Sequence, residues 1–158
     1  MPEIFNTQRK IQIEIEQIRE FASRSASEIP EAADKDFSIA FVPDRRMKQL
    51  NELFRGINST TDVLSFPHEH DDFLSEPHGI TGGSEIPSDI SDSSDFLGDI
   101  VISAEQAQKQ AAENGLTLEG EIKQLILHGL LHLCGYDHEV DSGEMNVREL
   151  ELRERLNI

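Results

Sequence analysis

The 158-residue chain predicts an α+β fold, a small mixed sheet of about four strands with helices gathered towards the C-terminal half, from three features. Short β-rich runs alternate with stretches whose apolar residues recur every three or four positions. From position 103 onward the pattern is helical almost throughout, which separates helices from strands rather than alternating them to the end. Length and composition, with 37% hydrophobic and 28% charged residues, suit a single domain spanning 1–158. A chain of this size buries roughly 70% of its unfolded surface and needs no metal to hold a core, so any metal site here would be chemical.

Each element has its own signal. A short strand at 4–6 precedes a helix predicted over 8–25, where Ile11, Ile15, Ile18, Phe21 and Ala22 form a stripe. Residues 37–42 alternate large apolar side chains at 37, 39 and 41, and Pro43-Asp44 ends that strand and opens a helix over 45–55. Gly56 closes the helix. A strand at 63–66 stops at Pro67, and 68–96 reads as a long acidic loop insertion rich in Ser, Asp, Gly and Pro. Residues 98–103 form the last strand. Ser103 with Gln106 resembles a capping box for a helix through 113, ended by Asn114-Gly115. Thr117 caps a helix to about 134, and Ser142 caps a final helix through 156.

Composition narrows the function. The single cysteine, Cys134, excludes an intramolecular disulfide and suggests a reducing compartment. The chain start lacks the basic segment and apolar core of a signal peptide, and the apolar stretch 125–133 is far too short to span a bilayer. A cytoplasmic protein with no membrane partner is expected. The net charge of −17 argues against a protein that coats DNA or RNA phosphates with Lys and Arg. The acid is concentrated, since Glu69, Asp71, Asp72, Glu76, Glu85, Asp89, Asp92 and Asp95 face no Lys or Arg between 68 and 97. Arg45, Arg46, Lys48 and Arg55 make a compact basic group ahead of the C-terminal helix.

The chemistry concentrates in His128-Gly-Leu-Leu-His132-Leu-Cys-Gly135-Tyr-Asp-His138. Positions i and i+4 share a helix face, so His128 and His132 can aim two imidazoles at one point. Gly135 can end the helix in the left-handed conformation and return His138 as a third ligand. Three His with an open fourth position are the donor set of a catalytic zinc. Chance alone would give this spacing in roughly one chain in a hundred of this His content. The spacing is that of the zinc peptidases, and Met145 is spaced as the Met that follows such sites, but their general-base Glu is here Gly129. Glu121, Asp137 or Glu139 would have to stand in, and none has the right helical offset. Cys134 faces away from the two His, Asp137 is a candidate to orient a ligand, and His68, His70 and His78 read as solvated loop residues.

Three blocks together resemble the YbeY family of bacterial metal-dependent endoribonucleases. They are the His128 to His138 segment; Leu50-Asn51, Arg55-Gly56 and Thr61-Asp-Val-Leu-Ser-Phe-Pro67; and Leu97-Gly-Asp-Ile-Val-Ile-Ser103. The resemblance implies a zincin-like fold, one zinc per chain on His128, His132 and His138, and Arg55 as the functional arginine. It further implies hydrolysis of single-stranded RNA in maturing the 3′ end of small-subunit ribosomal RNA and in ribosome quality control. The expected partners are ribosomal RNA and ribosomal particles, with ribosomal proteins or assembly factors. The loop 68–96 looks longer than is usual in the family. Two other readings stand beside it: a zinc peptidase or amidase with an unconventional base, and a non-enzymatic ribosome-associated zinc protein.

Overall fold

The computed structural model describes residues 2–68, 96–136 and 143–158. Four strands form one mixed sheet in the order β1-β2-β4-β3: β1 (Glu3–Asn6), β2 (Asp36–Val42), β3 (Val63–Pro67) and β4 (Phe96–Ser103). The first three in that order run parallel, and β3 lies antiparallel to β4 as an edge strand. Among the described residues five α-helices flank it: α1 (Ile15–Glu28), α2 (Asp44–Arg55), α3 (Ala104–Asn114), α4 (Leu118–Leu133) and α5 (Glu144–Leu156). This is the α+β class the sequence predicts. Residues 69–95, most of the expected acidic loop, and Ser142, the expected cap of the last helix, lie outside the described residues.

Alternation divides the core between the two faces of the sheet. Phe37, Ile39 and Phe41 of β2, with Ile100 and Ile102 of β4, enter the main core against α1 and α4. The opposite face is covered by α2, where Met47 packs with Val42, Leu64 and Val101. The helix α4 is buried along most of its length, because Ile122, Leu125, Ile126, Leu127, Leu130, Leu131 and Leu133 leave it little solvent face. Among the described residues no helix is long and apolar enough to cross a membrane.

The helix ends follow the sequence signals, save that α5 has Gly143 and not the expected Ser142 at its N-cap, and with one larger exception. The Ser103 hydroxyl accepts from the Gln106 backbone N–H (3.2 Å) and the Thr117 hydroxyl from that of Gly120 (3.0 Å). Gly56 and Gly115 end α2 and α3 in the left-handed region at φ 71° and 69°. The exception is α1, which starts at Ile15 and not at position 8. The amide of the buried Gln8 explains the delay: its Nε2 donates to Asn6 Oδ1 (2.9 Å) and the Ile11 carbonyl (2.8 Å), while its Oε1 accepts from the Ile11 N–H (2.9 Å). This side chain closes a non-helical turn that the apolar stripe does not reveal.

Candidate active site

Helix α4 carries His128 and His132 one turn apart, and their Nε2 atoms lie 3.2 Å from each other with the rings nearly perpendicular. The second nitrogen of His128, Nδ1, lies 3.2 Å from Glu149 Oε1 on α5. A carboxylate can only accept, so His128 Nδ1 is the nitrogen that donates, and Nε2 is the one turned toward His132. Glu149 is fixed in turn by Arg153, whose Nη2 donates to Oε2 at 3.0 Å. Burial alone would raise the Glu149 carboxyl, but the His128 hydrogen bond and the charges of His128 and Arg153 outweigh it and hold it below the usual range.

The glycine between the histidines sets how closely α4 meets the sheet. A Cβ at Gly129 would lie 3.0 Å from Ile100 Cγ2 and 3.1 Å from Ser65 Oγ. The Ser65 hydroxyl donates to the Gly129 carbonyl at 3.3 Å, a direct tie between α4 and the edge strand. Position 129, where the peptidase pattern has its Glu, therefore faces the sheet and has no room for a longer side chain. Arg55 stands in the last turn of α2 and is exposed. The turn behind it is held by the Asn51 side chain, which donates to the Ser59 carbonyl at 2.9 Å.

The start of α2 is anchored by Asp44. Its Oδ1 accepts from Thr60 (2.6 Å) and Ser103 (2.9 Å), and its Oδ2 from Gln106 (3.2 Å). Burial pushes this carboxyl up, and the three hydrogen bonds with the Lys109 charge bring it below its ordinary value. With its amide turned so that the nitrogen faces the two carboxylates, Gln110 donates both to Asp62 Oδ2 (3.0 Å) and to Glu121 Oε2 (3.1 Å). Glu121 is only 4% exposed, and burial, with the Asp62 charge adding to it, raises its carboxyl.

An open cavity of about 540 Å³ is lined by Arg55, by residues 61–65 and Pro67 on and just before β3, and by His128, His132, Gly135 and Tyr136. Arg55, His128 and His132, all singled out in the sequence, thus meet on one cavity. His138, the expected third ligand, lies outside the described residues, as do Asp137, Glu139, His70 and His78. His68 stands exposed at the end of β3, edge-on to Phe96 at 5.5 Å, and does not line the cavity. Cys134 packs against the main core, and burial pushes its thiol up to about 11, so it is a neutral packing group. Glu149 is the residue that reading the sequence missed. A signal was present: on α5 it falls in the stripe of Met145, Leu152 and Leu156, a carboxylate on the buried face of a helix.

The family model described as Endoribonuclease YbeY matches residues 3–157. A curated relative named Endoribonuclease YbeY from Nautilia profundicola is 42% identical over 125 residues, covering 79% of this chain and 75% of that protein. One of the same name from a Thermoanaerobacter species is 38% identical over 159 residues, covering 98% and 96%. Among solved structures, the solution structure of a Thermotoga maritima protein is similar with a TM-score of 0.60 and 26% identity, covering 99% of this chain and 89% of that one. On this match across nearly its whole length, the chain belongs to the endoribonuclease YbeY family.

Proposed function

We propose that this chain is a zinc-dependent endoribonuclease, with one zinc per chain, that cuts single-stranded RNA in the cytoplasm. Its task would be maturation of the 3′ end of small-subunit ribosomal RNA and ribosome quality control, carried out on ribosomal particles by one domain spanning 1–158. The observation that carries the reading is the meeting of Arg55 with His128 and His132 on a single cavity. The donor set fits a metal. Two imidazoles whose Nε2 atoms face one point, one of them tied through Nδ1 to a carboxylate, are an arrangement that imidazole-binding metals use. His128 and His132 would hold the ion, with His138 as third ligand by its spacing. When bound, such a metal polarises a phosphoryl oxygen and acidifies a water.

The remaining work falls to the chain itself. Arg55 would donate from its guanidinium to the non-bridging phosphate oxygens and stabilise the negative charge that grows on them. Its exposed place at a helix end suits a group that must reach a substrate. Phe54 beside it is 60% exposed and edge-packed on Phe66 at 5.0 Å, which offers a sequence-tolerant stacking surface for a base. The closure of position 129 against Ile100 weighs against a peptidase mechanism that needs a Glu there.

The test is cleavage of an RNA with a single-stranded 3′ tail by metal-quantified protein. Arg55→Ala should keep the metal and lose at least about 100-fold in rate, the scale of one lost charge-stabilising donor. His128→Ala and chelated protein should lose both metal and cleavage. Wild-type rates from Arg55→Ala, or turnover of peptides without RNA cleavage, would overturn the reading.

A further inference from the structure

We infer that Glu149 is a positioning residue of the metal site: from α5 it fixes the ring and tautomer of His128 so that Nε2 is presented as a ligand. This rests on the proposed metal site and extends it to a residue 21 positions away on a different helix. Three observations converge on it. Glu149 interrupts the apolar stripe of α5, where a carboxylate is costly unless it is paired. Both of its oxygens are engaged in different tasks, Oε1 with His128 Nδ1 at 3.2 Å and Oε2 with Arg153 Nη2 at 3.0 Å. The geometry also separates the two nitrogens of His128, because Nδ1 faces the carboxylate while Nε2 faces His132 across 3.2 Å.

The consequence is a coupling between the C-terminal helix and the site. Arg153, one turn along α5 from Glu149, holds the carboxylate against rotation. Without the carboxylate, the His128 ring loses the contact that fixes its Nδ1 proton, and the ligand nitrogen is presented for less of the time. Partners of this kind typically contribute 10- to 100-fold in metal affinity.

The test uses the full chain. Zinc affinity is measured by competition with a chromophoric chelator for wild type, Glu149→Gln, Glu149→Ala and a control, Glu151→Gln, whose exposed carboxylate pairs with Arg148 on the same helix. The His128 tautomer is read from imidazole ¹⁵N shifts in the metal-free protein at pH 8. The inference expects Nδ1–H at His128 in wild type, a 10- to 100-fold weaker zinc affinity in Glu149→Ala, a smaller loss in Glu149→Gln and none in the control. A merely structural role would lower the melting temperature without changing the tautomer. Affinity within twofold of wild type in the isosteric Glu149→Gln and in Glu149→Ala, or Nε2–H at His128 in wild type, overturns it. Should His128→Ala leave zinc affinity unchanged, the metal reading itself falls, and the tautomer measurement still decides whether Glu149 holds the ring.

Discussion

Among the glycines of the described residues, Gly98 is the one at which an added Cβ would meet the closest atoms. Gly98 sits in β4 opposite Pro67 of β3 with φ +142°, a conformation that L side chains rarely adopt. Occupying it with Ala costs about 1–3 kcal/mol of backbone strain. A Cβ there would also lie 2.3 Å from the Phe66 carbonyl oxygen and 2.9 Å from Pro67 Cα. Both are backbone atoms of β3 and cannot rotate aside, unlike the Leu133 methyl that is also 2.9 Å away. Relief requires separating β3 from β4 at this point, which loosens the neighbouring bond from His68 N–H to the Leu97 carbonyl, now 2.8 Å. One or two such bonds contribute about 0.5–1.5 kcal/mol each. The expected loss is roughly 2–6 kcal/mol, a large part of the 5–15 kcal/mol that holds an ordinary domain. Urea unfolding followed by far-ultraviolet circular dichroism measures it. Any folded variant should also lose RNA cleavage, because the displaced strand is a cavity wall. A loss below about 1 kcal/mol would refute both the backbone conformation at Gly98 and the close seating of β3.

Three further outcomes are expected. Gly129→Ala gains up to about 1 kcal/mol of helix propensity but costs about 1–3 kcal/mol of overpacking against Ile100, so urea unfolding should show a net loss and cleavage should fall; a more stable, fully active variant would contradict the contact. Asp44 has a folded carboxyl below its ordinary value, so its stabilising contribution is complete above the unfolded pKa and is lost as pH falls through the folded one. Asp44→Asn should therefore weaken the fold at pH 7 and flatten the acid side of the stability profile measured by thermal melts; an unchanged acid limb would count against the network. Deleting 69–95, which carries eight carboxylates and no Lys or Arg, should tighten RNA binding at low salt and matter less at high salt, as read by filter binding; equal affinity at both salts would refute the repulsion.

Local physics accounts for what was legible. The two histidines four apart on an apolar helix could be paired from periodicity alone, because a helix leaves no choice about which residues share a face. The strands, Gly56 and the caps at Ser103 and Thr117 were legible for the same reason. What stayed hidden depends on chain segments meeting in space. The 3.2 Å contact of Glu149 with His128 exists only once α5 packs across α4. The reason for a glycine at 129 lies in Ile100 and Ser65, on two other strands. The late start of α1 is a matter of local chemistry that an apolar pattern overlooks, since the deciding group is the polar side chain of Gln8.

The edge position of β3 has a consequence for self-association. An open strand edge invites a second copy of the chain to add a strand, and it needs donors and acceptors in alternation to do so. The bonds from Ser103 N–H to the Asp62 carbonyl and from His68 N–H to the Leu97 carbonyl show that even-numbered residues face β4. The odd-numbered ones therefore face outward. Of the three outward positions, Pro67 has no N–H and the Val63 N–H is taken by its neighbour Asp62 Oδ1 at 2.8 Å. Among the described residues only the Ser65 N–H remains for a would-be partner strand. The edge that borders the cavity is thus a poor template for fibre growth, yet it still presents carbonyls and one donor to a ligand lying along it.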